Sequence, residues 1–231
     1  RAPAIARMPR LLPFLPRLKP SVGLLLVLAV TVVLYPFADD NRSLRALAQL
    51  LDIVVVLSVM RVLRVQELWL RSGWAISIPL VLLQLLHLVF PGWAAVQLPM
   101  LVAQVAFHAY AVMLLLGYVL RDDVITIDEL YALACIYVLL ALLWASAYAI
   151  VIHYDPGAIF INPSNDADGR TGWSDLVYYS MTTLTSTGYG EITPVTPAAR
   201  ALAMLQQVVG VLFVAILIAR LTGMARNRRP E

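Results

Sequence analysis

The sequence predicts an all-α membrane protein with six transmembrane helices and a re-entrant element between the fifth and the sixth. Of its 231 residues, 61% are apolar and 13% are charged, and the mean hydropathy is +0.82, far from the balance of soluble domains. Apolar segments of about 20 residues, enough to cross a hydrocarbon core of about 30 Å, lie at 21–38, 46–65, 74–91, 94–120, 129–153 and 197–222. Membrane lipids are therefore the expected surroundings, and no nucleic-acid partner is expected.

The distribution of positive charge predicts which side of the membrane each loop occupies. Thirteen of the 17 Lys and Arg residues fall in the terminal segments and the even-numbered loops, and short basic loops stay in the cytoplasm. We expect a multi-pass protein of the cell membrane, such as a bacterial inner membrane, with the basic ends 1–20 and 223–231 both cytoplasmic. Because the chain begins at Arg1 instead of Met, we expect a fragment or a processed product.

Helix-capping signals mark the start of the last two spans. Thr126 and Glu129 have the spacing of a capping box, and Thr196 followed by Pro197 is typical of an N-cap with proline in the first turn. Between these spans, 154–172 is rich in Asp, Asn, Gly and Pro, so an exposed loop is predicted there.

The stretch after this loop is predicted to enter the membrane and return. Residues 173–185 are apolar enough to enter it and too short to cross it, and the return leg at 186–190 reads STGYG. Non-helical backbone at membrane depth must be buried in protein or line a wet cavity. Gly188 and Gly190 allow left-handed backbone, so successive carbonyls can point to one side. Rings of such carbonyls from several copies would replace the water shell of a bare monovalent cation.

The stretch TLTSTGYGEITP, 183–194, resembles the selectivity-filter signature of the tetrameric potassium channel superfamily. The resemblance covers about 126–223 and is to bacterial six-transmembrane, pore-loop channels without a voltage-sensor arginine ladder. It implies a potassium-selective channel with a pore domain at 129–222, made of an outer helix (129–153), a turret (154–172), a pore helix (173–185), a filter (186–190) and an inner helix (197–222).

The resemblance also implies roles for single residues. Potassium ions would be bound in the filter by Ser186, Thr187, Gly188 and Tyr189, with Gly190 completing it, and no other cofactor is expected. The filter would be supported by Tyr178, Tyr179, Thr185 and Glu191. The cavity and gate would be formed by Gln207, Gly210, Val211 and Val214. Gly210 falls at the position of a gating hinge. Gln206 and Gln207 face about 100° apart on a helix, so with Gln207 in the cavity Gln206 is expected to contact another helix.

Three residues depart from the family pattern. Ser186 and Thr187 replace the usual threonine and valine, and Glu191 replaces the usual aspartate. Serine keeps the hydroxyl ligand but loses a packing methyl, and the hydroxyl of Thr187 needs a partner. A channel of the same build that also passes sodium is therefore the neighbouring interpretation.

A single filter motif predicts a homotetramer around a central pore, because a carbonyl ring needs several copies. An enzyme is not expected, since no motif pairs His87, His108 or Cys135 as nucleophile and base. A transporter would show two related halves with broken helices, whereas a re-entrant element is predicted only in the second half of this chain. No small-molecule substrate is evident. A non-conducting, channel-like subunit is a further alternative.

The first four spans, 21–120, have the layout of a voltage-sensor unit without its charges. The fourth span contains no Arg or Lys, so voltage sensing by a charged helix is not expected. Arg61 and Arg64 are interpreted as anchors at the cytoplasmic end of the second span. The acidic linker 121–128 is expected to couple this unit to the pore.

Three polar residues within the first four spans need partners. Asp52 is interpreted as structurally paired with a polar group of a neighbouring span. His87 and His108 could sense pH, but hydrogen-bonded packing residues are the simpler interpretation of both.

Overall fold

The computed structural model describes residues 19–38, 41–65, 70–121, 126–164 and 171–227. Its helices are α1 (Pro20–Ala38), α2 (Arg42–Val65), α3 (Leu70–Val89), α4 (Ala94–Val119), α5 (Ile127–Tyr154), α6 (Trp173–Leu184) and α7 (Pro197–Asn227). Within these ranges, six helices, all except α6, are long and apolar enough to cross a membrane, as predicted. Most of the basic N-terminal segment and the acidic pair Asp122 and Asp123 of the linker lie outside the described residues.

Several helices begin earlier or end later than their apolar stretches. The side chain of Asn41 accepts hydrogen bonds from the backbone N–H groups of Ser43 (2.9 Å) and Leu44 (3.3 Å), which caps α2 four residues before the predicted span. Such side-chain acceptors satisfy the first N–H groups of a helix, which have no partner within it. The hydrophobic pattern shows which residues lie in the hydrocarbon core, whereas a polar cap such as Asn41 shows where the helix itself begins.

Both predicted N-caps are confirmed. The backbone N–H of Glu129 donates to Thr126 Oγ1 (3.3 Å), and the Glu129 carboxylate accepts from the backbone N–H of Thr126 (2.8 Å), a complete capping box on α5. At the start of α7, the N–H of Ala199 donates to Thr196 Oγ1 (3.4 Å).

Helix α5 joins the four-helix unit to the last part of the chain. It packs against α4 and α1 of that unit and against α6 and α7 of the last part. At its start, Asp128 accepts hydrogen bonds from the hydroxyl (2.9 Å) and backbone N–H (3.4 Å) of Ser21. A carboxylate at the N-terminus of α1 also complements the helix dipole, so α1 is fixed to the first turn of α5.

Two short strands add to the mostly helical fold, and one of them buries part of the loop predicted at 154–172. Strands β1 (Ile159–Ile161) and β2 (Ile192–Pro194) pair antiparallel, with Ile161 opposite Ile192. Ile159 and Ile161 are buried while Phe160 between them is exposed, the alternation of a strand with one covered face. The loop is thereby attached to the chain that follows STGYG.

Candidate functional site

Helix α6 ends one residue before the STGYG segment (186–190). Its 12 residues rise about 18 Å, too little to cross a membrane. Asp175 caps its start by accepting a hydrogen bond from the backbone N–H of Gly172 (2.7 Å). The buried residues recur at helical spacing, which gives α6 one apolar face against α5: Leu176, Val177, Tyr179, Ser180, Thr183 and Leu184.

The backbone of the STGYG segment is left-handed at every second residue. The φ angles are 56° at Ser186, 52° at Gly188 and 94° at Gly190. Left-handed backbone was predicted for the two glycines, but not for Ser186, where a side chain makes this conformation costly by roughly 1–2 kcal/mol. The alternation removes the usual opposition of successive carbonyls in an extended chain.

Backbone hydrogen bonds fix the direction of the first peptide groups in this segment. The N–H groups of Thr187 and Gly188 both donate to the carbonyl of Thr182, at 2.9 and 3.2 Å. None of the described peptide bonds is cis, and in a trans peptide the C=O points opposite to the N–H. The carbonyls of Ser186 and Thr187 therefore point away from α6.

The hydroxyl of Thr187 has a partner behind the segment. It lies 2.8 Å from Thr185 Oγ1, which itself donates to the carbonyl of Met181 at 2.8 Å. With its own hydrogen used in that bond, Thr185 accepts from Thr187. The Thr187 hydroxyl thus has the partner that it was expected to need, within the same chain.

Tyr178 supports the second half of the segment. Its ring lies parallel to that of Tyr189, at 4° and with centroids 6.5 Å apart, and its hydroxyl donates to the Glu191 carboxylate. This hydrogen bond, with smaller contributions from burial and nearby charge, raises the pKa of Tyr178 to about 12. Tyr178 therefore joins Glu191 to the face of α6 that lies against Tyr189.

Tyr179 faces helix α5, whereas Tyr178 faces Tyr189 of the STGYG segment. Its ring packs on Tyr148 of α5 with centroids 4.9 Å apart, and only 4% of the residue is exposed. Successive helical residues lie about 100° apart, so two adjacent tyrosines cannot both face Tyr189 from one helix. Tyr179 therefore connects α6 to α5.

Gln206 links three helices, which confirms its expected helix contact. It is fully buried and accepts a hydrogen bond from the Tyr148 hydroxyl (2.7 Å). Its amide nitrogen donates to the carbonyl and the hydroxyl oxygen of Ser180, both at 2.8 Å. The network holds α7 against α5 and α6.

Gly210 is buried where α7 crosses the end of α6. A Cβ at this position would lie 2.0 Å from the carbonyl oxygen of Leu184, far inside van der Waals contact. The same carbonyl accepts a hydrogen bond from the Tyr137 hydroxyl (3.0 Å). Close packing thus explains the glycine, and a hinge at Gly210 stays a prediction.

A groove of about 730 Å³ runs between the STGYG segment and α7. Gln207 and Val211 line it together with Ser186, Gly188 and Tyr189. Val214, one turn further along α7, is exposed and does not line this groove. The structure therefore brings two of the predicted cavity residues to the segment.

The sequence did not single out Tyr137, Tyr148 or Ser180, although each supports the site. Tyr137 and Tyr148 lie about three turns apart on α5 and so share one face. Two tyrosines on one face of an apolar span could have indicated this role, because buried tyrosine hydroxyls need hydrogen-bond partners on a neighbouring helix.

Residues 133–227 match a family model described as an ion channel. The match begins in α5 and includes α6, the STGYG segment and α7. None of the curated proteins matches the chain. Together with six helices of membrane-spanning length, the family match supports an ion channel function in a multi-pass membrane protein, and makes an enzyme the less suitable class.

Proposed function

We propose that this chain is the subunit of a homotetrameric potassium channel that conducts potassium passively through a filter at 186–190. The observation that carries the proposal is the alternating left-handed backbone at Ser186, Gly188 and Gly190. With the amides of Thr187 and Gly188 turned toward α6, this backbone presents carbonyl oxygens on its other side. Carbonyl rings of this kind replace the hydration shell of potassium.

The ion-binding oxygens in this proposal belong to Ser186, Thr187, Gly188 and Tyr189. Carbonyl dipoles carry only partial negative charge, so they balance the dehydration of a monovalent cation better than that of a divalent one. Thr185 supports the start of the filter through Thr187, and Tyr178 supports its end through Glu191. Gln207 and Val211 then lie where the filter opens toward the cytoplasmic cavity.

The exposed polar surface of a single subunit supports a tetramer. Tyr189 is 72% exposed, and the backbone around it belongs to a segment too short to leave the membrane. Polar backbone at membrane depth cannot face lipid. Three further copies around an axis along the groove would cover this surface. They would also cover α7, in whose most apolar stretch only 17% of residues are buried.

The charge distribution supports a proposed filter near the outer surface. The positive-inside rule assigns both termini to the cytoplasm, so the chain re-enters the membrane from outside at α6. Helix α4 contains neither Lys nor Arg, and gating by a charged sensor helix is not part of the proposal.

A potassium-flux assay on the purified chain in liposomes tests this function. Tetramers are first verified by cross-linking, and efflux is then compared between wild type and Gly188→Ala. We expect efflux from wild type and a loss of at least tenfold in Gly188→Ala, because alanine disfavours the φ of 52° at this position. Gly157→Ala, at an exposed turn without positive φ, is the matched control and should conduct like wild type. Verified tetramers without potassium efflux would contradict the proposal.

A further inference from the structure

A second polar site lies away from the STGYG segment, where the four-helix unit meets the start of α6. It is a small cavity with free volume of about 10 Å³, room for one water molecule. The polar residues that line it come from α1, α2, α3 and α4: Tyr35, Asp52, Gln84, Gln104 and His108, with Trp173 of α6 beside them. Apart from Asp52 and His108, the sequence alone had not drawn attention to this set.

Four polar atoms of these residues have no hydrogen-bond partner among the described residues. Three are Gln84 Oε1, Gln104 Oε1 and His108 Nδ1, on residues that are only 5%, 7% and 7% exposed. The expectation that His108 is hydrogen-bonded by another side chain is therefore wrong for its Nδ1 atom. The fourth atom, Trp173 Nε1, carries an N–H group and can only donate. Buried polar atoms are nearly always partnered, so the cavity needs an occupant that both donates and accepts hydrogen bonds.

Asp52 lies at the same cavity without a positive counter-charge. It accepts a hydrogen bond from the Tyr35 hydroxyl (2.5 Å), which confirms its expected structural pairing with a neighbouring span. The other titratable groups among the lining residues are Tyr35 of α1 and His108 of α4, and the lining residues from α3, α5 and α6 do not titrate. An ionised carboxylate within an apolar span is costly, whereas a protonated one is neutral and gains a hydrogen to donate.

One water molecule and one proton on Asp52 satisfy all of these groups together. The water accepts a hydrogen bond from the Trp173 N–H and has two hydrogens to donate, whereas three acceptors need one. The proton on Asp52 supplies the third hydrogen, with His108 in the tautomer that leaves Nδ1 free to accept. Donors and acceptors are then equal in number, and no net charge remains at the cavity.

Other occupants leave at least one group unsatisfied. Water beside an ionised Asp52 leaves a charge at membrane depth. A proton on His108 instead of Asp52 leaves two charges that are not joined through Nδ1, because this atom makes no hydrogen bond to the protein. A metal cation would face the N–H of Trp173, whose positive end repels it.

We propose that Asp52 is a neutral carboxylic acid that keeps its proton at neutral pH, and that the cavity beside it binds one water molecule. Trp173 is the first residue of α6, and its ring packs edge-on against Tyr35, at 84° and with centroids 5.9 Å apart. The acid and the water thus join the four-helix unit to the start of α6. Removing the proton leaves a charge at this junction, so the attachment of α6 to the four-helix unit depends on pH.

Infrared spectroscopy of the full chain in lipid nanodiscs tests the protonation state. A protonated carboxylic acid has a C=O stretch that ionised carboxylates lack and that shifts in heavy water. We expect this band at neutral pH in the difference between wild type and Asp52→Asn, and its loss from wild type on titration to alkaline pH. The difference between wild type and Asp155→Asn, at the exposed end of α5, should not contain it. Asp52→Glu keeps an acid and should move the band without removing it, which assigns the band even if Asp52→Asn does not fold.

Thermal unfolding at several pH values tests the same proton independently. The folded chain binds a proton at Asp52 that the unfolded chain has released above about pH 5, so this residue lowers stability increasingly as pH rises. Asparagine keeps an acceptor and a donor and cannot ionise. The Tm of Asp52→Asn should therefore match wild type near about pH 5 and exceed it increasingly toward about pH 8. Asp155→Asn should show no such gain over wild type.

The water is tested by a structure of the assembled chain at a resolution that shows ordered waters. One water should lie in the cavity within hydrogen-bond distance of Trp173 Nε1. The proposal is overturned if the cavity is empty or holds a metal ion, if the infrared band of Asp52 is absent at neutral pH, or if Asp52→Asn is less stable than wild type at every pH.

Discussion

The carbonyl oxygen of Leu184 lies so close to Gly210 that a methyl group on residue 210 would be 2.0 Å from it. Leu184 is the last residue of α6 and leads into Thr185 and the STGYG segment. Tyr137 of α5 donates to the same carbonyl. The end of α6 is thus held between α5 and α7, and the geometry of the segment depends on both contacts.

Replacing Gly210 with alanine should destabilise the protein. Overpacking of a filled interior costs about 1–3 kcal/mol, more than the gain of about 1 kcal/mol from better helix propensity. We expect a lower Tm and fewer tetramers for Gly210→Ala, measured by thermal unfolding and cross-linking.

Gly117→Ala is the matched control, because Gly117 lies in α4 with open space around its Cβ position. It should unfold at the wild-type temperature or slightly above it. If Gly210→Ala were as stable as wild type and changed only the opening of the pore, Gly210 would act as a hinge and the packing interpretation would fail.

Gln206→Ala should also lower stability strongly. It removes the partner of the buried Tyr148 hydroxyl and one contact of the Ser180 carbonyl, and each buried polar group left unpaired costs about 1–3 kcal/mol. Gln207→Ala, at the adjacent exposed position, should leave the Tm unchanged. Equal losses of Tm in the two variants would show that the hydrogen-bond network does not hold α7 in place.

Tyr178→Phe should shorten the time for which the proposed filter conducts. The change removes the hydrogen bond to the Glu191 carboxylate, a bond to a charged group worth about 1.5–3 kcal/mol, and keeps the ring beside Tyr189. In planar bilayers we expect faster decay of the potassium current. The current through Glu191→Ala should decay at a similar rate, and the current through the double variant should decay no faster than that through either single variant.

The pH dependence of the Tyr178–Glu191 hydrogen bond follows from the pKa of Tyr178, which is raised to about 12. The neutral, donating tyrosine is favoured in the folded state, so its contribution is fully present below the ordinary value near 10 and is lost as pH rises through about 12. Wild-type decay rates that already followed this titration at neutral pH would contradict the assignment.

Ser186 should tolerate glycine better than threonine. Its φ of 56° is a rare conformation for β-branched residues, whereas glycine adopts it freely. Tetramers of Ser186→Gly should be at least as stable as wild type toward heat, although the variant loses a hydroxyl at the filter. Ser186→Thr should dissociate at a lower temperature. A threonine variant with wild-type stability and flux would show that the left-handed backbone is not required.

The sequence predicted the features that depend on local patterns. Six spans follow from apolar length, and the caps at Thr126 and Thr196 follow from residue type and spacing. The orientation of Gln206 toward other helices could be inferred because two adjacent glutamines cannot share one face.

Features that depend on distant pairing were not predicted. The partner of β1 is β2, about thirty residues later, and a three-residue strand carries too little pattern to be recognised alone. Gly210 fits both a hinge and a close contact until Leu184 is seen beside it. Gln84 and Gln104 are isolated polar residues in apolar spans, and only helix packing brings them to the small cavity that Asp52 also lines.

The most direct test of the central claim is a reversal potential measured under bi-ionic conditions. Purified tetramers in a planar bilayer are given potassium on one side and sodium at the same concentration on the other. The proposed filter predicts a reversal potential displaced from zero by well over about 60 mV, with the potassium side negative, which corresponds to a potassium-to-sodium permeability ratio far above tenfold. A reversal potential near zero with clear current would show a channel without potassium selectivity and would contradict the proposal.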